Sequence, residues 1–222
     1  MRRLFALLFV LLPSVAWPCE LALVLAVDVS GSVDRDEYRV QMDGLAFALR
    51  DSIVADALVD QKAAVTLIQW SGSSRQEQTV PWTRIASLGD VDALARAIAD
   101  DPRKWRNYST AIGEVLGLSI NSFAKGPECG RKVIDVSGDG VSNEGVEPHD
   151  MRAALRDGGV VVNALAIETD GADLTAYFYE NVIEGEGAFV ITANGFEDYP
   201  AQIKRKLQRE TTKQLSMLTS GE

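Results

Sequence analysis

The sequence has little of the chemistry on which many hydrolases and zinc sites depend. Its 222 residues include a single histidine, His149, and only two cysteines, Cys19 and Cys129. No nucleophile-elbow motif accompanies the histidine, which argues against a Ser-His-Asp arrangement. The Gly-Asp-Gly turn at 138–140 lacks both a dinucleotide-binding fingerprint and the lysine and serine of a phosphate-binding loop. These absences weaken the case for acyl transfer and for nucleotide chemistry.

Aromatic residues and long apolar runs are also scarce. Aromatic residues make up 7% of the chain, and no segment approaches the ~20 apolar residues of a membrane-spanning helix. Apolar residues at 46% and charged residues at 24% are typical of one soluble globular domain. The formal net charge of −10 argues against nucleic acid or an anionic membrane surface as a partner, because phosphates would be repelled.

The first sixteen residues have the pattern of a secretory signal peptide. An arginine pair at 2–3 precedes an apolar run at 4–12, and small residues at 14–16 provide a cleavage site near Ala16. A buried N-terminal strand or helix is the alternative. Trp17 and Pro18 are poor matches to a lipidation site at the following cysteine. We therefore predict a periplasmic or secreted product, with one domain at 19–216 and a flexible tail at 217–222.

Hydrophobic patterning predicts strands that alternate with helices. Strands are predicted at 21–27, 63–70, 78–82, 132–137, 160–167 and 188–192, and helices at 90–99, 149–156, 172–182 and 196–215, with two more that begin near Asp34 and at Thr110. The helix that begins near Asp34 would bury one face, formed by Tyr38, Met42, Leu45, Leu49 and Ile53. The alternation indicates an α/β fold, a doubly wound and mostly parallel central sheet with helices on both faces.

Oxygen-bearing side chains follow two of these strands. Asp28, Ser30 and Ser32 follow the first strand, Asp139 follows the fourth, and Thr110 lies at a loop-to-helix junction. Ligands of open α/β sheets bind beyond the carboxyl ends of strands where the strand order reverses, so these oxygens would converge if the two strands are neighbours. Two carboxylates and three hydroxyls form a hard site that suits Mg²⁺, Mn²⁺ or Ca²⁺ rather than zinc.

Each member of this set also has a simpler explanation. The serine-containing turn and Thr110 can act as helix caps, and Asp139 can belong to an ordinary Asp-Gly turn. The case for a metal site therefore depends on all five residues being present in the right elements.

The motif Asp28-x-Ser30-x-Ser32, with Thr110 and Asp139 downstream, resembles the metal-ion-dependent adhesion site (MIDAS) of von Willebrand factor type A (vWA) domains. The resemblance extends over about residues 20–215 and is closest to a group of exported bacterial vWA-like proteins of unknown function. It implies that the three hydroxyls contact the metal directly and that the two carboxylates hold it mainly through water. It also implies that an acidic group of a protein partner completes the coordination.

The loop before Thr110 differs from the glycines that vWA families often have there. Asn107-Tyr108-Ser109 is bulkier, and we expect it to change access to the site while keeping the ligand. Trp105, Tyr108 and Glu144 are candidates for the rim that a partner contacts, with Trp105 the best candidate for an exposed contact.

The positions of the two cysteines suggest a disulfide. Cys19 precedes Asp28 and Cys129 precedes Asp139 by nearly the same number of residues, so both would lie at the opposite end of two adjacent parallel strands. An exported protein meets an oxidising compartment, which favours pairing over two free thiols.

Two functions of different classes remain open. The first is a binding module without catalysis, which captures an acidic group of a protein partner through the metal. The alternative is a metal-dependent, phosphatase-like hydrolase that uses Asp28 as nucleophile or a metal-activated water. Such an enzyme normally brings a basic side chain to the site, and only Arg106 and His149 lie in the relevant segments. We therefore predict that the chain is not an enzyme. A third possibility makes the ion only a staple for the loops.

Overall fold

A computed structural model describes residues 19–169 and 173–212. The predicted signal peptide at 1–16 and the predicted tail at 217–222 lie outside these ranges, as does the end of the last predicted helix. The domain boundaries therefore stay a prediction. Among the described residues, no helix is both long enough and apolar enough to cross a membrane.

The described chain alternates between strands and helices. The strands are β1 (Cys19–Asp28), β2 (Ala64–Trp70), β3 (Gln76–Arg84), β4 (Cys129–Gly138), β5 (Val160–Glu168) and β6 (Val190–Asn194). The helices are α1 (Arg35–Leu49), α2 (Ser52–Asp60), α3 (Leu88–Ala99), α4 (Ile112–Phe123), α5 (Arg152–Asp157), α6 (Leu174–Asn181) and α7 (Tyr199–Thr211), and a 3₁₀ turn (Pro148–Met151) precedes α5.

The six strands form one sheet in the order β3-β2-β1-β4-β5-β6. All neighbouring strands are parallel except β2 and β3, which pair antiparallel. The strand order reverses between β1 and β4, so the crevice in which such folds bind ligands lies at the carboxyl ends of these two strands. The predicted doubly wound α/β fold is confirmed.

Strand β1 forms the centre of the sheet because its apolar run can be buried on both faces. Leu21, Leu23 and Leu25 face a core shared with α1, α3 and α7. Ala22 and Val24 face a second core, which includes residues of α4. The single sheet therefore has a packed helical layer on each side, and its central strand is buried on both faces from Leu21 onward.

Two elements differ from the sequence-based prediction. The first helix ends at Leu49, and Asp51 caps a new helix by accepting a hydrogen bond from the Ile53 backbone N–H at 3.1 Å. The prediction that Ile53 shares the buried face of α1 was wrong, since this restart leaves the residue 52% exposed. Strand β3 is also longer than the predicted 78–82 and runs from Gln76 to Arg84, with Pro81 inside it, because an edge strand tolerates a residue that lacks a backbone N–H. Its pairing with β2 shifts register on either side of Leu67.

A buried ionic cluster fixes α7 to the sheet. The Lys206 ammonium lies 2.5 Å from an Asp135 carboxylate oxygen of β4 and 2.6 Å from a Glu210 oxygen one turn further along α7. Burial and the neighbouring Asp135 raise the pKa of Glu210 to about 8. Removing Lys206 would leave the buried Asp135 carboxylate without its cation, so the cluster ties the helix to one position on the strand.

The predicted disulfide is confirmed. Cys19 and Cys129 are direct partners in the register of β1 and β4, and their Cα atoms are 4.5 Å apart. The bond closes a loop with a sequence separation of 110 residues at the end of the sheet opposite the reversal crevice.

We expect Cys19→Ser/Cys129→Ser to lower the free energy of unfolding by up to ~5 kcal/mol, because a cross-link over so long a loop restricts the unfolded chain. Urea unfolding followed by circular dichroism measures the change. Wild-type protein kept reduced serves as the control and should unfold like the variant. An unchanged free energy of unfolding would show that the bond contributes nothing to stability.

Candidate metal site

The first part of the candidate site is built where β1 ends. Asp28 is the last residue of the strand and is fully buried. Its Oδ1 accepts a hydrogen bond from the Ser30 backbone N–H at 2.7 Å, which curls the chain back toward the carboxylate. The Val29 N–H donates to the Trp70 carbonyl of β2 at 2.9 Å and extends the pairing one residue further. The turn that carries Ser30 and Ser32 is thus held by the Asp28 side chain and by the extended pairing with β2.

The adjacent strand β4 adds the second carboxylate. The Ser32 hydroxyl donates to Asp139 Oδ1 at 2.7 Å, and the Ser30 and Ser32 hydroxyl oxygens are 3.3 Å apart. Gly138 allows this proximity, because a Cβ at that position would lie 3.0 Å from Asp28 Oδ2. Oxygens that are far apart in the sequence therefore meet at the reversal between β1 and β4.

Thr110 joins the site from a loop rather than as a helix cap. The N-cap of α4 is Ala111, and no side chain caps that helix. Thr110 is buried and is held by its backbone: its N–H donates to Asn143 Oδ1, and its carbonyl accepts from the Asn143 N–H, both at 2.9 Å. A Cβ on Gly140 would lie 3.7 Å from Thr110 Oγ1, so the hydroxyl is close to the turn that carries Asp139.

The electrostatics of the site favour a bound cation. Asp28 Oδ2 is buried and has no hydrogen-bond partner within the part of the chain that the structure describes. Burial and the nearby Asp139 raise the pKa of Asp28 to about 7, and burial also raises the pKa of Asp139. Two desolvated carboxylates beside hydroxyl groups are the donor set that hard cations take. The residues present therefore fit a divalent cation.

Only two of the donor groups are carboxylates. Across residues 19–169 and 173–212, no cluster of three or more His, Cys, Asp or Glu side chains has metal-binding spacing. A site of this composition would have to depend on its hydroxyl oxygens for the remaining protein ligands.

Arg103 is a residue of this site that the sequence analysis missed. Its Nη2 donates to the Val29 and Ser30 carbonyls at 3.0 and 2.8 Å, and its Nη1 donates to the Asp34 carbonyl at 3.2 Å. The guanidinium therefore braces the turn that presents the serine hydroxyls. No local sequence pattern marks this role, because the acceptors are backbone carbonyls about seventy residues earlier in the chain.

The three predicted rim residues differ in exposure and in the contacts that they make. Trp105 is half-buried and packs against the hydrophobic core, which leaves less of its ring for a partner than expected of an exposed contact. Tyr108 is 45% exposed, and the Arg75 guanidinium lies 4.6 Å from its ring centroid. The Glu144 carboxylate accepts a hydrogen bond from the Ser73 N–H at 3.1 Å and so pins a neighbouring loop.

The bulkier loop before Thr110 lies directly against the serine turn. The Gly31 N–H donates to the Tyr108 carbonyl at 2.8 Å, and a Cβ on Gly31 would lie 3.2 Å from that oxygen. Glycine at this position lets the two backbones touch. The Asn-Tyr-Ser segment thus forms one wall of the site.

Residues 18–215 match the protein family described as "Protein of unknown function (DUF1194)". The chain belongs to this family. No curated protein matches this DUF1194 member.

Solved structures show that the DUF1194 chain has the fold of a vWA domain. Proximal thread matrix protein 1 from the mussel byssus matches with a TM-score of 0.66 and 20% identity over 86% of this chain and 47% of its own. One structure of that protein has a zinc-occupied MIDAS motif. The von Willebrand factor type A protein from Catenulispora acidiphila matches with a TM-score of 0.57 and 19% identity over 86% of this chain and 42% of its own.

The pilus adhesin SpaC from Lactobacillus rhamnosus GG also matches, with a TM-score of 0.62 and 14% identity over 86% of this chain and 30% of its own. The DUF1194 chain therefore spans less than half the length of each of these solved chains.

Gly113 holds the first turn of α4 against the loop that follows Asp139. A Cβ at Gly113 would lie 2.1 Å from the Val146 carbonyl oxygen, so we expect Gly113→Ala to lower the free energy of unfolding by about 1–3 kcal/mol. Gly117→Ala in the same helix is the control, since its Cβ would meet only the Met151 side chain at 3.5 Å. Removing a helix glycine there should stabilise by ~0.5–1 kcal/mol. Thermal unfolding of both variants measures the difference, and equal effects would contradict the close packing at Gly113.

Proposed function

We propose that this protein is an exported vWA-type binding module. It binds a divalent cation, Mg²⁺ or alternatively Mn²⁺ or Ca²⁺, at the end of β1 and β4, and captures an acidic group of a protein partner there. Ser30, Ser32 and Thr110 would hold the cation directly, and Asp28 and Asp139 would hold it mainly through water.

The observation that carries this proposal is the buried Asp28 Oδ2, which has no hydrogen-bond partner among the described residues and lies where the oxygens of the strand ends converge. Leaving a buried carboxylate oxygen without a partner costs free energy that a fold normally avoids. Here the oxygen lies beside Gly138, next to the Ser32–Asp139 hydrogen bond. A cation at this position supplies the missing positive charge.

Each residue of the site would have a definite part in binding. The hydroxyls are neutral ligands, so the cation would keep most of its charge and remain attractive to an outside carboxylate. Asn143 fixes Thr110 through two backbone hydrogen bonds, and Arg103 fixes the serine turn through backbone carbonyls. Because these ligand residues are already ordered, the entropic cost of binding is lower.

The positions of the basic side chains support binding without catalysis. Arg103, the guanidinium beside the site, donates to three backbone carbonyls and is thereby committed to the fold. His149 is exposed on the 3₁₀ turn and pairs with Asp150 at 3.3 Å. A hydrolase normally needs a free acid, base or charge clamp in contact with the reacting group.

The disulfide supports export. Disulfides between structural cysteines persist in oxidising compartments such as the periplasm or the extracellular space. The Cys19–Cys129 bond therefore agrees with the signal peptide predicted for the first sixteen residues, and we propose a periplasmic or secreted location.

We expect Thr110→Ala and Ser32→Ala to weaken Mn²⁺ and Mg²⁺ binding by about tenfold or more, because each removes a hydroxyl ligand. Isothermal titration calorimetry with each metal, and with Ca²⁺ and Zn²⁺, measures the affinities. Wild-type protein at a metal concentration of 100 times Kd should gain about 2.7 kcal/mol of stability.

Thr83→Ala is the matched control for these variants, since it removes a hydroxyl from β3 that donates only to the nearby Pro81 carbonyl. It should leave metal affinity unchanged. Wild-type affinity retained in Asp28→Ala would overturn the assignment of the site.

A screen for phosphoester hydrolysis separates binding from catalysis. We expect wild-type protein loaded with Mg²⁺ or Mn²⁺ to give no turnover of generic phosphomonoesters and phosphodiesters above that of Asp28→Ala, because the Arg103 guanidinium beside the serine turn is held by three backbone carbonyls and His149 lies exposed on the 3₁₀ turn. Release of p-nitrophenol, measured side by side for both proteins, is the readout. Turnover that is present in wild type and lost in Asp28→Ala would favour the hydrolase.

A further inference from the structure

A pocket rich in arginine lies beside the candidate metal site. Arg35, Arg39, Arg103 and Arg106 line a cavity of about 200 Å³ between the start of α1 and the loop that follows α3. In a chain of net charge −10, four arginines around one cavity form a local concentration of positive charge. We call this cavity the arginine pocket.

Two of these arginines are already committed to the fold. Arg39 pairs with Asp43 at 2.6 Å and donates to the Ala99 carbonyl at 2.8 Å. Arg103 donates to the backbone carbonyls of the serine turn. By contrast, the side chains of Arg35 and Arg106 make no hydrogen bond or ion pair with any residue that the structure describes.

The acidic residues of the pocket are fewer than its arginines, since Asp100 and Asp101 bring two carboxylates against four guanidinium groups. Asp101 is buried, and one of its carboxylate oxygens accepts hydrogen bonds from Gln69 at 2.8 Å and Thr79 at 2.5 Å. Asp100 is exposed and forms the C-cap of α3 through its backbone. The pocket therefore keeps a positive excess at Arg35 and Arg106.

The arginine pocket and the metal site share a wall. Arg103 lines the pocket while it donates to the Ser30 carbonyl, and the segment after Arg106 touches Gly31 through the Tyr108 carbonyl. Burial, followed by the nearby Arg106, lowers the pKa of the Arg103 guanidinium. An anion in the pocket would relieve this repulsion. The arginine pocket and the metal site are therefore adjacent on this face of the fold.

We propose that Arg35 and Arg106 bind a second carboxylate of the acidic partner whose first carboxylate is captured at the metal site. This deepens the proposed function and rests on it for the position of the first carboxylate. Guanidinium groups suit this role because they offer paired donors that match the two oxygens of a carboxylate. The protein would therefore select a segment with two or more Asp or Glu residues over one with a single acid.

A protein acid fits the pocket better than a nucleic acid does. The pocket is small and local, whereas a polynucleotide carries phosphates over an extended length and would meet the acidic remainder of the surface. A short acidic peptide can place its carboxylates in the two positions without crossing that surface.

The test uses a fluorescein-labelled octaglutamate peptide and a glycine peptide with one central glutamate, with binding followed by fluorescence anisotropy in Mg²⁺ and in EDTA. We expect octaglutamate to bind wild type more tightly than the single-glutamate peptide does. Arg35→Gln/Arg106→Gln should weaken octaglutamate binding by about tenfold or more and leave single-glutamate binding and Mn²⁺ affinity unchanged.

Arg84→Gln/Arg205→Gln is the matched control, because it makes the same change in charge at two exposed positions outside the pocket. Thermal unfolding checks that both double variants are folded. Equal octaglutamate affinity in the two double variants would overturn the arginine pocket as a partner site, even where Mn²⁺ affinity supports the metal site.

Two further outcomes separate this inference from the proposed function. Absence of Mn²⁺ binding in wild type would overturn the metal site, and octaglutamate binding in EDTA that depends on Arg35 and Arg106 would then still support the pocket as a carboxylate site. Tighter binding of a single-stranded oligonucleotide of equal charge, lost in the same double variant, would overturn the assignment to a protein acid.

Discussion

The parallel pairing of β1 with β4 is the constraint on which the rest of the structure depends. One register places Cys19 opposite Cys129 at one end of the sheet and Val27 opposite Ser137 at the other. The residues that follow, Asp28 on one strand and Gly138-Asp139 on the next, are then forced together with their carboxylates only partly compensated. Shifting this register by one residue would separate the cysteines, reverse the faces of the apolar side chains and disperse the oxygens.

Much of this arrangement could be predicted from the sequence because its signals are local. Apolar runs such as 21–27 mark strands buried on both faces, and the nearly equal spacing of each cysteine from its aspartate carries information about register. The break at Asp51 could not be read in the same way. The apolar spacing that would place Ile53 on the face of α1 continues across Arg50 and Asp51, and only the hydrogen bond that Asp51 accepts from the Ile53 backbone N–H ends one helix and starts another.

The part of the site that escaped prediction depends on contacts with the backbone. Thr110 is placed by Asn143, and the serine turn is placed by Arg103, in each case through main-chain groups that carry no residue-specific signal. When a side chain hydrogen-bonds to the backbone, its partner is not a side chain, so no second residue type in the sequence indicates the contact. The five oxygen-bearing residues could therefore be gathered from their positions at strand ends, whereas the residues that hold them could be found only in the folded structure.

The outer strand β3 has a consequence for how the protein behaves at high concentration. An exposed strand edge offers a row of backbone donors and acceptors that a second chain can extend into a fibre. Pro81 interrupts the donors of that row, and the irregular pairing near Leu67 bends the strand away from a flat template. The opposite edge, β6, is only five residues long. Both borders of the sheet thus resist growth by strand addition, which favours a chain that stays monodisperse at high concentration.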